Sequence, residues 1–192
     1  MSNHTEHVKL VAFVGLAGSG KTSAVDYVTE KGYPKVYFGG IMYQMMRDAG
    51  IEITFESQQE FREKIRRDEG MDIIAKHAIV QIEHLMAAGQ HRIVLDGVYS
   101  WSEYKTLKHS FPGELELVAI VAPRRLRKHR LAERPERPLT SNEVDTRDWA
   151  EIEHIEKAGP IAIADHFIIN DSSLESLHHN IDTTLESINF YD

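Results

Sequence analysis

The sequence predicts an α/β fold, a three-layer sandwich whose central, mostly parallel five-stranded sheet carries helices on both faces. Three observations predict it. Short apolar runs alternate along the chain with longer segments of helical periodicity, the order that builds parallel strands joined by crossover helices. The first run, 8–14, is apolar almost throughout, as a strand buried on both faces must be. It ends at a glycine-rich loop that opens directly into a helical segment. Right-handed crossovers then bring the strand ends to one edge of the sheet, where ligands bind.

The elements follow in order. A helix over 21–31 is stopped by Gly32. A short second strand, 35–38, is bounded by Pro34 and by Gly39-Gly40. Helices are expected over 41–48, closed by Gly50, over 58–67, and over 71–88. In the last, Ala75, Ala78, Ile82, Leu85 and Met86 recur at helical spacing before Gly89. The third strand, 92–95, delivers Asp96 at its carboxyl end, and the fourth, 115–121, is closed by Pro123. A helix over 124–132 breaks in the stretch holding Pro135 and Pro138. A helix over 149–157, a fifth strand over 167–169 and a terminal helix over 174–188 complete the chain. No internal repeat or low-complexity linker divides it, so residues 1–192 read as one domain, long enough to bury a real core.

Composition excludes several classes. A net charge of −8 disfavours a protein whose main task is gripping a nucleic-acid backbone. The chain has no Cys, hence no disulfide framework and no thiolate metal site. No stretch approaches the roughly 20 apolar residues that cross a bilayer, and the first nine residues lack the layout of a signal peptide, so a cytoplasmic location is expected, with no membrane partner. The His residues lack the spacing of a zinc helix, and His178-His179 reads as surface. The basic residues are uneven, however. Arg124, Arg125, Arg127, Lys128, Arg130, Arg134 and Arg137 crowd one segment, which in an acidic protein suggests a local anion site.

The loop after the first strand reads Gly15-Leu-Ala-Gly-Ser-Gly-Lys-Thr22, a full match to G-x-x-x-x-G-K-[ST]. A chance match in a chain of this length is expected less than roughly once in a hundred. The spacing has a physical logic. Gly15, Gly18 and Gly20 let the backbone approach phosphate closely, and the amides of Ala17, Ser19 and their neighbours point inward. The helix that begins with Lys21, Thr22 and Ser23 adds the partial positive charge of its N-terminus. Lys21 supplies a full charge for the β and γ phosphates, and the Thr22 hydroxyl is a ligand for Mg²⁺. The fold class is therefore that of a P-loop NTPase. Asp96, at a strand end, is the second candidate for the Mg²⁺ shell or for orienting an acceptor.

Phosphoryl transfer develops charge on equatorial oxygens, which arginines stabilise. Arg127, Arg130 and Arg134 recur at helical spacings of three and four, so they are expected on one face, their mutual repulsion relieved by an anion. Arg147 and Asp148 are candidates for the far side of the same lid. Arg47, Arg62, Arg66 and Arg67 fall on the helices after the second strand and are candidates for the acceptor side.

The stretches VAFVGLAGSGKTS, FREKIRRDEGMDIIAK, RIVLDGVYS, RRLRKHRLAER and IADHFIINDSSLESL occur in the order found in nucleoside-monophosphate kinases. The chain resembles that group, and within it dephospho-CoA-kinase-like and adenylate-kinase-related small proteins, over nearly its whole length. The resemblance implies 39–88 as an acceptor-binding helical insertion and 124–150 as a lid region. It implies Arg130 and Arg134 as lid arginines near the adenine and phosphates, Arg147 as the later lid arginine, and Asn170 on the loop that passes the base. The catalytic set is then Lys21, Asp96, Arg130, Arg134 and Arg147, with Tyr43, Arg47, Arg66 and Gly97 on the acceptor side. Gly40 stands where many relatives carry an acid, and Tyr43 where they carry an arginine. No Asn-Lys-x-Asp signature of a GTPase occurs, so ATP is the expected nucleotide, with Mg²⁺. The expected function is transfer of the γ-phosphoryl of ATP to a nucleotide, dephospho-CoA or similar metabolite. The alternative is an ATPase switch or assembly factor acting on a macromolecular partner, motivated by the altered acceptor side.

Overall fold

A computed structural model describes residues 8–135 and 137–191. Its centre is a five-stranded sheet in the order β2-β3-β1-β4-β5, with every neighbouring pair parallel. The strands are β1 (Lys9–Val14), β2 (Lys35–Tyr37), β3 (Arg92–Asp96), β4 (Leu115–Val121) and β5 (His166–Ile169). Helices α1 (Lys21–Glu30), α2 (Phe38–Asp48), α3 (Phe55–Glu69), α4 (Ile73–Ala87), α5 (Trp101–Ser110), α6 (Arg124–Ala132), α7 (Ser141–Glu153), α8 (Ala158–Ala162) and α9 (Leu174–Ser187) make the connections.

The apolar run of β1 is continuous because its alternating side chains enter two cores. Leu10, Ala12 and Val14 join Ile93, Leu95, Leu115 and Leu117 against Met46, Ile74, Ala78, Ile82 and Leu107 of α2, α4 and α5. Val11 and Phe13 join Val94, Val118 and Ile120 against Ala24, Val25 and Val28 of α1 and Leu177, Ile181 and Leu185 of α9. Each core is fully buried at its centre, which fixes the register of the central strands.

That register positions the site. Phe13 pairs with Asp96, and Tyr37 pairs with Asp96 from the other side. Val121 pairs with Ile169, and the Asn170 amide donates to the Val121 carbonyl at 2.7 Å. The loop after β1, Asp96, Tyr37 and Asn170 therefore leave the sheet along one carboxyl edge.

The structure extends the expected elements in two places. Residues 101–110 form α5, a helix that apolar periodicity does not reveal because Leu107 is its one buried apolar side chain. The helix expected over 149–157 begins at Ser141 and stops at Glu153, with α8 following. Both helices begin at capping boxes, Ser100 with Glu103 and Thr140 with Glu143.

Candidate functional site

The cradle is built from what α1 lacks. Helices α3, α5, α7 and α9 begin with a Ser or Thr side chain that accepts a backbone amide, whereas α2, α4, α6 and α8, like α1, have no side-chain cap. Helix α1 begins at Gly20 with no side-chain cap and no acidic residue in its first turn. Its first amides and dipole are left for an external anion. Gly20 is required twice: its φ is 101°, and a Cβ would lie 2.2 Å from Asn170 Nδ2. Asn170 locks the loop by donating from Nδ2 to the Ser19 carbonyl at 2.8 Å. Lys21 donates to Asp96 across the strand edge, and its Nζ lies 5.9 Å from the Tyr99 ring centre. The Thr22 and Ser23 side chains are exposed at the mouth.

Helix α6 closes the second side of the cradle. Arg127 is 5% exposed, donates to the Ala17 carbonyl at 3.0 Å, and grips Asp148 with two bonds of 2.9 and 2.6 Å. Arg124 and Lys128 both pair with Asp145, at 2.7 and 2.6 Å, and Lys128 also donates to Ser141, so three side chains of α6 fasten it to α7. The face expected to carry Arg127, Arg130 and Arg134 together is thus divided. The charge of Arg127 is neutralised by Asp148 rather than held for a ligand. Arg130 donates to Asn170 Oδ1 at 3.4 Å, and its Nη1 is buried without a partner. Arg134 lies beyond the end of α6 and is exposed. An open groove of about 490 Å³, lined by Pro123, Arg125, Leu126, His129 and Asp171, runs beside Asn170.

A second pocket, of about 160 Å³, is lined by Tyr37, Tyr43, Arg62, Arg66, Tyr99, Arg147, Glu151 and Lys157, with Met42 and Ile74 among its apolar walls. Lys157 is buried, and its Nζ bonds Glu151 Oε2 at 2.8 Å and lies 5.2 Å from the Tyr99 ring centre. Tyr99 thus stands beside both the cradle lysine and the pocket lysine. Arg147 donates from Nε to the other Glu151 oxygen at 2.9 Å. Burial opposes the charge on Glu151, but Lys157 and Arg147 outweigh it and hold the carboxyl below its ordinary value of 4.5. This pair contributes stability above about pH 4.5, lost as pH falls through the lower folded value. Burial pushes Lys157 below the ordinary lysine range, against the pull of Glu151. Arg66 bonds Glu103 at 3.1 Å, and fully buried Glu103 accepts the Tyr99 and Ser100 amides.

The expected site residues divide accordingly. Gly15, Ala17, Gly18, Ser19, Gly20, Lys21, Thr22, Ser23, Asp96, Arg130 and Asn170 surround one edge. Tyr43 and Arg66 line the second pocket, and Gly97 begins the turn over which Tyr99 folds. Arg147 joins that pocket rather than the α6 face. Arg47 does not reach it: the side chain is exposed and bonds Gln44 of its own helix at 2.8 Å. Sequence reasoning missed Glu151, Lys157, Tyr37 and Tyr99. Only one signal existed, Gly39-Gly40, where a Cβ would lie 2.6 and 2.9 Å from the Tyr37 ring folded over them. An acid at position 40 would displace that ring.

Asn170→Ala is expected to cost about 1 kcal/mol of stability, the net worth of a lost hydrogen bond, and to weaken nucleotide binding about tenfold. Denaturant unfolding and a nucleotide titration check the two parts.

The model of the AAA domain family matches residues 11–150. A UPF0200 protein of Thermococcus gammatolerans is 34% identical over 182 residues, covering 93% of this chain and 95% of the relative. The crystal structure of TT1252 from Thermus thermophilus superposes with a TM-score of 0.58 at 19% identity, over 95% of this chain and 99% of that one. Shikimate kinase from Acinetobacter baumannii, in complex with shikimate, superposes at 0.55 with 16% identity, over 95% and 96%. The fold is the nucleotide-binding P-loop kinase fold. No helix among the described residues is long and apolar enough to cross a membrane.

Proposed function

We propose, from the premise that the chain belongs to the AAA domain family and to the UPF0200 protein family, that it is an ATP-dependent small-molecule kinase. One observation carries the reading. An uncapped helix N-terminus with Lys21 and Asp96 opens beside a second pocket crowded with cations, and the two share Tyr99. A protein that only hydrolyses ATP has no need of the second pocket. The pocket also weighs against the ATPase-switch alternative, since Tyr37 and Tyr43 furnish the acceptor side where Gly40 has replaced an acid.

The residues fit a magnesium nucleotide. Mg²⁺ keeps several of its waters and takes few protein ligands, and exposed Thr22 would hold it beside the phosphate oxygens, with Asp96 facing its water shell rather than the ion. When bound, the ion neutralises charge that builds between the β and γ phosphates. The α1 amides and Lys21 hold the phosphates, which draws Lys21 away from Asp96. Freed Asp96 orients the acceptor and takes its proton. The partnerless Arg130 Nη1 is directed to phosphate charge, and the groove beside Asp171 receives the base. The acceptor oxygen forms its bond to Pγ as the bond from Pγ to the ADP oxygen breaks. The sequence-matched Arg134 and Arg147 retain lid roles in this reading, with Arg147 acting from the pocket wall.

Incubation with Mg·ATP and a panel of nucleoside monophosphates, dephospho-CoA and small phosphorylated metabolites tests this. One acceptor should give phosphorylated product in equal amount to ADP, read by mass spectrometry. ADP and inorganic phosphate with no phosphorylated acceptor would instead favour the ATPase switch.

A further inference from the structure

The pocket beside the cradle is built around positive charge. Arg62 and Arg66 stand one turn apart on α3, Arg147 enters from α7, and Lys157 rises from the turn that follows. Against these four cations stand Glu151 in the wall and Glu103 behind Arg66, which leaves two positive charges uncompensated.

Several donors there are open. Arg66 is nine-tenths buried, and its Nε has no partner. Among the described residues no carboxylate pairs with Arg62, and Glu151 engages Arg147 only through Nε. Burial raises the Tyr37 and Tyr99 hydroxyls above the ordinary tyrosine range, so both remain donors at neutral pH. An unusual backbone delivers the deepest cation. Glu156, directly before Lys157, has φ 59° without being glycine, and its carboxylate accepts from Ser102 Oγ at 3.1 Å. Strain of this kind persists where surrounding structure enforces it, commonly at ligand sites.

Size narrows the ligand. The cavity volume is about 160 Å³. It falls short of the roughly 300 Å³ at which pockets for drug-sized ligands begin. The enclosed part of the pocket therefore suits a compact anionic group rather than a whole nucleoside or CoA precursor. Two open charges match a phosphate dianion, and arginine forks match its oxygens in pairs. A lone carboxylate would leave one charge over.

We infer that the acceptor is a small phosphomonoester bearing a free hydroxyl, its phosphate seated among Arg62, Arg66 and Arg147 and its hydroxyl turned toward Asp96. The inference rests on the kinase reading above. The hydroxyl oxygen bonds to Pγ, the bond from Pγ to the ADP oxygen breaks, and the hydroxyl proton passes to Asp96 and then to water. The product carries two phosphate groups.

The test fills the ADP part of the cradle with Mg·ADP first and verifies that binding by calorimetry; the γ-phosphate position stays open, and the Arg62 variants distinguish a probe held in the pocket from one held there. Glycerol 3-phosphate is then titrated, with glycerate and glycerol as comparisons. Wild-type protein should bind glycerol 3-phosphate with a Kd of about 1 mM or tighter, glycerate about tenfold more weakly, and glycerol not at all. Arg62→Gln should weaken glycerol 3-phosphate about tenfold and leave Mg·ADP affinity unchanged, with Arg62→Lys intermediate. Glycerate binding as tightly as the phosphate, no response to Arg62→Gln, or no binding of glycerol 3-phosphate would each overturn the inference. Failure of Mg·ADP itself to bind would remove the kinase reading and the inference with it.

Discussion

Replacing Lys21 with Ala is expected to lower phosphoryl transfer by about 10²–10³-fold, the usual effect of deleting one preorganised electrostatic contact. Lys21 is the charge that reaches out of the α1 N-terminus, and its hydrogen-bond partner in the protein is Asp96. The folded state should tolerate the change. Alanine is a strong helix former, and the pair is more open than Arg127–Asp148, with side-chain exposures of 14% and 10% against 6% and 7%, so stranding this carboxylate is expected to cost less stability than stranding Asp148. Turnover with Mg·ATP and thermal unfolding should therefore separate. A large drop in the first with little change in the second is the predicted pair. Equal turnover in the variant would mean that phosphate is held elsewhere.

Replacing Arg127 with Ala is expected to destabilise the protein by about 3–5 kcal/mol, the range for removing one partner of a buried ion pair. Two losses combine. Asp148, itself 5% exposed, would keep its charge without its two hydrogen bonds, and the Ala17 carbonyl would lose its donor. Domains retain only about 5–15 kcal/mol in total, so this is a large fraction. Denaturant unfolding measures it. Exchanging both partners for apolar residues, Arg127→Met with Asp148→Leu, should recover much of the stability, because no charge is then left buried alone. If the double variant is as unstable as Arg127→Ala, the cost lies in lost packing rather than in the stranded charge.

The same arginine shows where sequence reading reached its limit. Spacing placed Arg127, Arg130 and Arg134 on one face, but spacing carries no information about partners twenty residues away. Asp148 and Asp145 take up the charge of Arg127, Arg124 and Lys128, so much of this basic segment fastens α6 to α7. By contrast, β1, the glycine loop and α1 were legible because each residue there answers a local demand: burial on two faces, close backbone approach, an open helix start. Strands 115–121 and 92–96 were legible for the first of those reasons.

The second pocket was only half legible. Arg62 and Arg66 stood out as basic residues on a predicted helix. Glu151 and Lys157 stand six residues apart, but their segment is far in sequence from Tyr99 and from the α3 arginines and meets them only in the fold. Helix α5 was missed because its apolar content is low, although the Ser100…Glu103 capping box marked its start. His178, expected at the surface, is half-buried and stacks on Tyr27 with ring centres 3.8 Å apart, a tertiary partner that a polar helical pattern conceals.

The γ-phosphoryl group is expected to pass to a small organic acceptor and not to water. Phosphorus NMR of Mg·ATP turnover by this protein, with small hydroxyl-bearing phosphomonoesters present, follows that group directly. The predicted result is a new phosphate ester that grows in step with ADP and is absent with Lys21→Ala. Release of the group wholly as inorganic phosphate, with every added acceptor unchanged, would mean that water is the acceptor and that the protein is not a small-molecule kinase.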